Sequence, residues 1–289
     1  MGDSTITARQ LWAATADELG DRAAARWLCE EATGLDGDAF LAELDDPVTE
    51  PMVAHLDAML ARYRAGEPLQ YVLGRWGFRH LDLAVDRRVL IPRPETERVA
   101  GVAIELARAR HEAAGEVLVA DLGTGSGAIG LSLASELPLT GTTVWITDVS
   151  ADALDVARAN LAGIGRSAKN VRVGQGSWFE ALPDGTQFDV IVANPPYVAV
   201  GSPELDESVR DWEPHLALIA GAAGLDAIAE IVGAARGSLR PGGWLVLEIG
   251  ADQGDAVAAL FAAAGFVAVD VRRDTAGNVR VALAQAPIA

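Results

Sequence analysis

Hydrophobic positions follow two regimes along the chain. Up to about residue 72 they recur at i, i+3 and i+4. "TARQLWAATADELG", "AAARWLCEEATG", "DAFLAELDD" and "EPMVAHLDAMLARYRAGEP" each carry an apolar stripe and end near glycine or a polar turn. This predicts a small helical domain over 1–72. Across 73–92 the period shortens. "LDLAV" and "RVLIP", on either side of Asp86-Arg87, predict a β-hairpin linker, with Pro92 and Pro94 stiffening its exit. From 93 to 289, β-branched runs alternate with helical patterns. "EVLVADLG", "TTVWITDVS", "VRVGQG", "FDVIVANPPY" and "GGWLVLEIG" read as strands, and "FVAVDVRRD" with "VRVALAQ" as a closing antiparallel pair. Such alternation predicts an α/β domain with a mostly parallel, doubly wound sheet.

Composition narrows the classes. The 289 residues are half hydrophobic, enough for a sizeable core. No apolar run reaches the roughly 18 residues of a membrane span. The acidic, mixed start "MGDSTITARQ" lacks the pattern of a signal peptide, so a cytoplasmic protein is expected. Cys29 is the sole cysteine, and His55, His80, His111 and His215 show no ligand spacing, so no metal is expected. With 41 acids against 23 bases the net charge is −18, and Lys169 is the only lysine. That balance argues against stable nucleic-acid binding, which favours a basic face.

Candidate chemistry begins at "DLGTGSGAIG", where Gly123, Gly125 and Gly127 follow one strand and open a helix. Glycine there lets the chain turn sharply and lets a ligand approach main-chain N–H groups. No P-loop lysine follows, which disfavours a triphosphate. Asp148 ends the next strand, at the usual distance for an acid that holds ribose hydroxyls; capping the following helix is its other reading. Asp121 precedes the loop. It suits a cationic ligand such as S-adenosylmethionine, near its methionine end, or serves as a strand-end carboxylate bonded to the loop; both roles stand open.

The second corner is "ANPPYV". Pro195 and Pro196 cannot donate to a sheet, and Asn194 is held extended by the proline after it. The Asn194 side-chain oxygen and the Pro195 carbonyl can together accept both hydrogens of an –NH2 group, with Tyr197 as an aromatic wall. Strand ends of an open α/β sheet share one crevice, so this corner and the glycine loop should face each other.

The chain resembles the HemK-like peptide chain release factor glutamine methyltransferases. "GEPLQYVLGRWGFRHLDLAVDRRVLIPRPETE", "DLGTGSGAIG", "TDVSADALDVARAN", "GSWFEAL", "ANPPYV", "EPHLALIAGAAGLD" and "GGWLVLEIG" occur in that family's order, and "LIPRPETE" is far more specific than the NPPY motif. The resemblance implies a Rossmann-like class I methyltransferase domain: a seven-stranded sheet with a C-terminal antiparallel hairpin, behind a helical substrate-recognition domain. It implies transfer of a methyl group from S-adenosylmethionine to the amide nitrogen of the glutamine in the Gly-Gly-Gln motif of bacterial class 1 release factors, leaving S-adenosylhomocysteine. By motif, Gly123, Thr124, Gly125, Ser126 and Gly127 cradle the donor with Asp121 nearby, Asp148 holds its ribose, and Trp178 lies by the adenine or packs in the core. Asn194, also beside the donor, holds the glutamine amide with Pro195, Pro196 and Tyr197. Ser177 stands where many relatives carry an acid. Pro94, Glu95 and Thr96 either shape the donor entrance or cap a helix, and the loop 199–215 is a candidate lid. A nucleic-acid amino-methyltransferase, and a non-catalytic donor-binding scaffold, are the alternatives.

Overall fold

A computed structural model describes residues 6–201 and 206–288. The chain divides into two compact units, Met1–Arg75 and Trp76–Ala289. The first contains helices α1 (Ala8–Leu19), α2 (Arg22–Thr33), α3 (Gly37–Ala42), α4 (Glu50–Arg64) and α5 (Leu69–Leu73). Local chemistry sets their ends. Thr7 and Gln10 form a capping box at α1, and the Asp21 side chain accepts the N–H groups of Ala23 and Ala24 at α2. Gly20 and Gly34 end the two helices in the left-handed conformation. The stripes converge on a core that includes Leu28, Cys29, Phe40, Leu56 and Met59.

Strands β1 (Arg75–Phe78) and β2 (Leu81–Ala84) form a two-stranded sheet. The hairpin therefore turns at Arg79-His80, one strand earlier than the apolar pattern predicts, and "RVLIP" is not a strand. Two features explain the shift. Asp86 accepts the Arg88 N–H on its side chain and the Val89 N–H on its carbonyl, a local turn that competes with pairing. The Ile91 N–H is taken by the Glu213 carboxylate at 3.1 Å rather than by a neighbouring strand. The β2 edge is fastened by Asn160, whose side-chain amide bonds both the N–H and the carbonyl of Ala84.

The rest of the second unit alternates as expected: α6 (Thr96–Ala114), β3 (Val117–Leu122), α7 (Ala128–Glu136), β4 (Thr142–Asp148), α8 (Ala151–Gly163), β5 (Val171–Gln175), β6 (Phe188–Ala193), α9 (Glu207–Trp212), α10 (Asp226–Ser238), β7 (Leu239–Glu248), α11 (Gly254–Ala263), β8 (Val267–Arg273) and β9 (Val279–Gln285). The seven larger strands form one sheet in the order β5-β4-β3-β6-β7-β9-β8. Pairing is parallel up to β7, and β9 runs antiparallel to both β7 and β8. Successive residues face opposite sides of the sheet. On β6, Val190 and Val192 enter the core that includes α6 and α7, whereas Ile191 and Ala193 enter the core with α10 and α11. Burial on both faces explains why these strands read as unbroken apolar runs.

The topology sets the site. The chain leaves β3 toward β4 on one side and returns on the other as β6. Leu122 is in register with both Thr147 and Ala193. The next residues on those strands, Gly123, Asp148 and Asn194, therefore emerge along one carboxyl edge, at the switch point where α/β sheets bind ligands. Among the described residues no helix is long and apolar enough to cross a membrane.

Candidate active site

A cavity of about 650 Å³ opens over this edge, a volume usual for a small-molecule site. Gly123, Thr124, Gly125 and Ser126 line it, with Asp121, Asp148, Trp178, Asn194 and Pro196. Gly123 and Gly125 have φ of 70° and 54°, which an L side chain rarely adopts. Gly127 does not line the cavity; it sits at the start of α7, where a Cβ would strike Leu131.

The two carboxylates hold the loop in different ways. Asp148 accepts the Gly125 N–H at 3.0 Å on one oxygen and the Ser150 N–H at 2.9 Å on the other. The helix cap is Ser150, whose hydroxyl accepts the Ala153 N–H, so Asp148 organises the loop and faces the cavity without capping α8. Burial raises the Asp148 carboxyl above its ordinary range, opposed by its backbone donors. Asp121 is fully buried. Its Oδ2 accepts the Thr124 hydroxyl at 2.6 Å and the Gly130 N–H at 2.8 Å, while Oδ1 has no partner. Burial pushes this carboxyl up to about 7 against the pull of those two bonds. The loop-bonded role is thus realised by one oxygen, and the other is buried without a partner.

Gly130 is part of this arrangement. A Cβ there would overlap Ile146 Cγ2 and come within 2.9 Å of Asp121 Oδ2. Gly130→Ala is expected to destabilise the protein by about 1–3 kcal/mol in urea unfolding and to weaken donor binding through displacement of Asp121.

Trp178 stands in a short 3₁₀ turn, Trp178–Ala181, with φ of 42°. Its ring packs on the core and also lines the cavity beside Gly123, where a Cβ would lie 3.3 Å from ring atom Cζ3. Ser177 lines the same wall. At the NPPY corner, Asn194 Nδ2 donates to the Thr96 hydroxyl at 3.3 Å, so the amide turns its nitrogen inward. Pro196 lines the cavity and Pro195 is buried behind it. Tyr197 departs from the expected wall: its ring packs on the core, and its hydroxyl donates to Glu248 Oε1 at 3.2 Å.

Of two further residues at the site, the sequence points to Thr96 and not to Glu248. Thr96 is the first residue of α6 and lines the cavity, in line with the entrance reading of "PETE", whereas Glu95 occupies the N-cap position without a side-chain cap bond. Glu248, the acid in "WLVLEIG", is fully buried, and burial pushes its carboxyl up to about 7. The far wall is built from 87–93 and 214–219. Arg93 pairs with the buried Glu213 carboxylate, and the Arg87 guanidinium lies 5.6 Å from the centre of the Trp212 ring. The candidate lid 199–215 includes residues 202–205, outside the described residues; Val198 and Val200 on its near side bond to Leu218, Ala220 and Gly221. Among the described residues no group of acids, histidines or cysteine is placed to hold a metal ion.

The sequence matches known proteins over most of its length. The family model "PrmC N-terminal domain" matches residues 9–74, and "Methyltransferase small domain" matches 104–208. A release factor glutamine methyltransferase of Xylella fastidiosa (strain Temecula1) is 42% identical over 95% of this chain and 96% of its own length. The chain belongs to the release factor glutamine methyltransferase family. The family member of Vibrio cholerae is also 42% identical, over 86% of this chain and 84% of its own length. As a release factor glutamine methyltransferase, the chain is an enzyme that takes its methyl group from S-adenosylmethionine. A solved methyltransferase from Pyrococcus furiosus, 19% identical with a TM-score of 0.53, covers 80% of this chain with all of its own and shares the fold.

Proposed function

We propose that the enzyme methylates the side-chain amide nitrogen of the glutamine in the Gly-Gly-Gln motif of bacterial class 1 release factors. The observation that carries this reading is the orientation of Asn194. Its nitrogen is engaged by Thr96, so its oxygen is free to accept, at the rim of the cavity that the glycine loop floors. An acceptor fixed there fits a guest bearing –NH2.

The residues also fit the donor. Asp121 Oδ1, buried without a partner, suits a cation, the loop carries no basic side chain, and the Trp178 ring on the cavity wall beside Gly123 suits a planar base. In this reading Gly123, Thr124, Gly125 and Ser126 form the cradle, Gly127 turns the chain into α7 behind it, Asp121 faces the methionine end, Asp148 holds the ribose and Trp178 the adenine. When bound, S-adenosylmethionine supplies an electrophilic methyl group on a sulfonium and leaves as S-adenosylhomocysteine. The protein's own part is orientation and charge stabilisation. An amide nitrogen is a weak nucleophile because its lone pair is delocalised. Asn194 Oδ1 and the Pro195 carbonyl accept its two hydrogens, hold the nitrogen in line with the methyl carbon and stabilise the positive charge that grows on it. The proton can leave after transfer, so a strong general base is not needed. Pro196 walls the amide, and Tyr197 supports the corner from behind.

The helical unit is assigned to recognition of the release factor, since the second unit already carries the donor site. A translation factor as substrate goes with a cytoplasmic place of action, without membrane association. A net charge of −18 disfavours the nucleic-acid alternative. The test is incubation with S-adenosylmethionine and purified release factor, then peptide mass mapping. One added methyl on the Gly-Gly-Gln glutamine is expected; methylated nucleic acid with unmodified release factor would overturn the reading.

A further inference from the structure

A buried acid closes the strand that neighbours the NPPY corner, and burying a carboxylate is expensive unless it is used. Glu248 ends β7 on the face that holds Val246, so it points toward the start of α6. There it faces Thr96, whose side chain opposes the upward push of burial on the Glu248 carboxyl, and it accepts the Tyr197 hydroxyl at 3.2 Å. Its charged surroundings are Glu95 and Arg280, and Arg280 is 3.7 Å from Asp274. Its Oε2 has no partner.

We propose that Glu248 and Thr96 are positioning residues that decide which end of the Asn194 amide faces the substrate. The proposal rests on the reading of Asn194 as the acceptor for the glutamine amide. Above about pH 7 Glu248 is ionised, and an ionised carboxylate only accepts. Tyr197 gives its hydroxyl proton to Glu248, and the relay requires Thr96 to give its single hydroxyl proton there as well. With its proton committed, Thr96 can only accept from its other neighbour, and that neighbour is Asn194 Nδ2 at 3.3 Å. The amide is thereby locked with Oδ1 toward the cavity. Without the lock, Asn194 can flip and set its own –NH2 against the –NH2 of the substrate, two donors with no acceptor between them. Donor and acceptor ends of an amide differ little in shape, so packing alone cannot make this choice.

Glu248→Gln keeps the size and removes the acceptor-only character. An amide nitrogen at the Oε2 position would have no partner, so the amide is expected to turn and donate toward Thr96, reversing the chain. Thr96→Val deletes the link, and Thr96→Ser restores it. Glu248→Gln and Thr96→Val are each expected to lower kcat on release factor by about tenfold or more while KM for S-adenosylmethionine moves less than about twofold. Thr96→Ser is expected to stay within about threefold of wild type, and the double variant to be no worse than the poorer single, because both break one chain. An unchanged kcat in Glu248→Gln and Thr96→Val, or a loss in Thr96→Ser equal to that in Thr96→Val, would overturn the proposal. A second readout needs no acceptor substrate. By NMR, hydrogen exchange at the Asn194 side-chain amide should be slow in the wild type and faster in Glu248→Gln and Thr96→Val; equal rates would overturn it too. A wild-type enzyme that left release factor unmethylated would refute the substrate reading, and the exchange measurement would still decide the relay.

Discussion

Asn194→Ala is expected to lower kcat by at least about 100-fold while S-adenosylmethionine binds within about threefold of its wild-type affinity, the scale seen when one preorganised polar group at a reacting centre is removed. The asymmetry follows from geometry. Asp121, Asp148 and the glycine loop form a hydrogen-bonded set that closes without Asn194. Asn194 is tied to Thr96 instead, on the opposite side of the cavity edge. Removing its side chain leaves a substrate –NH2 without one of two acceptors, and leaves the nitrogen free to rotate away from the methyl group. Single-turnover transfer to release factor gives the first quantity and calorimetry the second. Retained transfer would end the acceptor role. A matching loss of donor affinity would move Asn194 from the substrate to the cofactor.

The sheet was legible because its signals are local. β-branched runs such as "VIVA" cannot form an amphipathic helix, and burial of β6 on both faces keeps them free of polar interruptions. The glycine loop was legible because positive φ at Gly123 and Gly125 demands a particular residue type. The hairpin was misplaced where a side chain competes with the backbone: Asp86 turns the chain, and Glu213, distant in sequence, takes the Ile91 N–H that a strand would have used. Glu248 is illegible, and Thr96 legible only as an entrance or cap residue, for the same kind of reason. One opens a helix and the other ends a strand, and only the sheet order brings them together behind Asn194. Tyr197 carried a motif signal, but its motif could not reveal that its hydroxyl points to Glu248.

The affinity for S-adenosylmethionine is expected to rise with pH and to level off above about 7. Burial pushes Asp121 up to about 7, so near and below neutrality the ligand-free enzyme holds a proton there. A cationic ligand near Oδ1 favours the ionised form, and binding must expel that proton. Affinity should therefore fall about tenfold per pH unit below 7. For the ligand-free fold the same shift means that the stability contributed by protonated Asp121 is full below the ordinary carboxylate range. It is lost as pH rises through about 7, so the carboxylate that favours the donor is one the empty site tolerates poorly. Asp121→Asn should weaken donor binding by about 100-fold at high pH, on the scale of a buried charge pair broken on one side, and should flatten the pH dependence. Asp148 is also raised by burial and lies close enough to raise Asp121 further, so it is the necessary control. Asp148→Asn should weaken binding yet keep the slope. Calorimetric titrations across that range separate the two carboxylates: a slope that survives in Asp121→Asn and vanishes in Asp148→Asn would exchange their roles, placing the cationic end of the donor beside Asp148 rather than beneath the glycine loop.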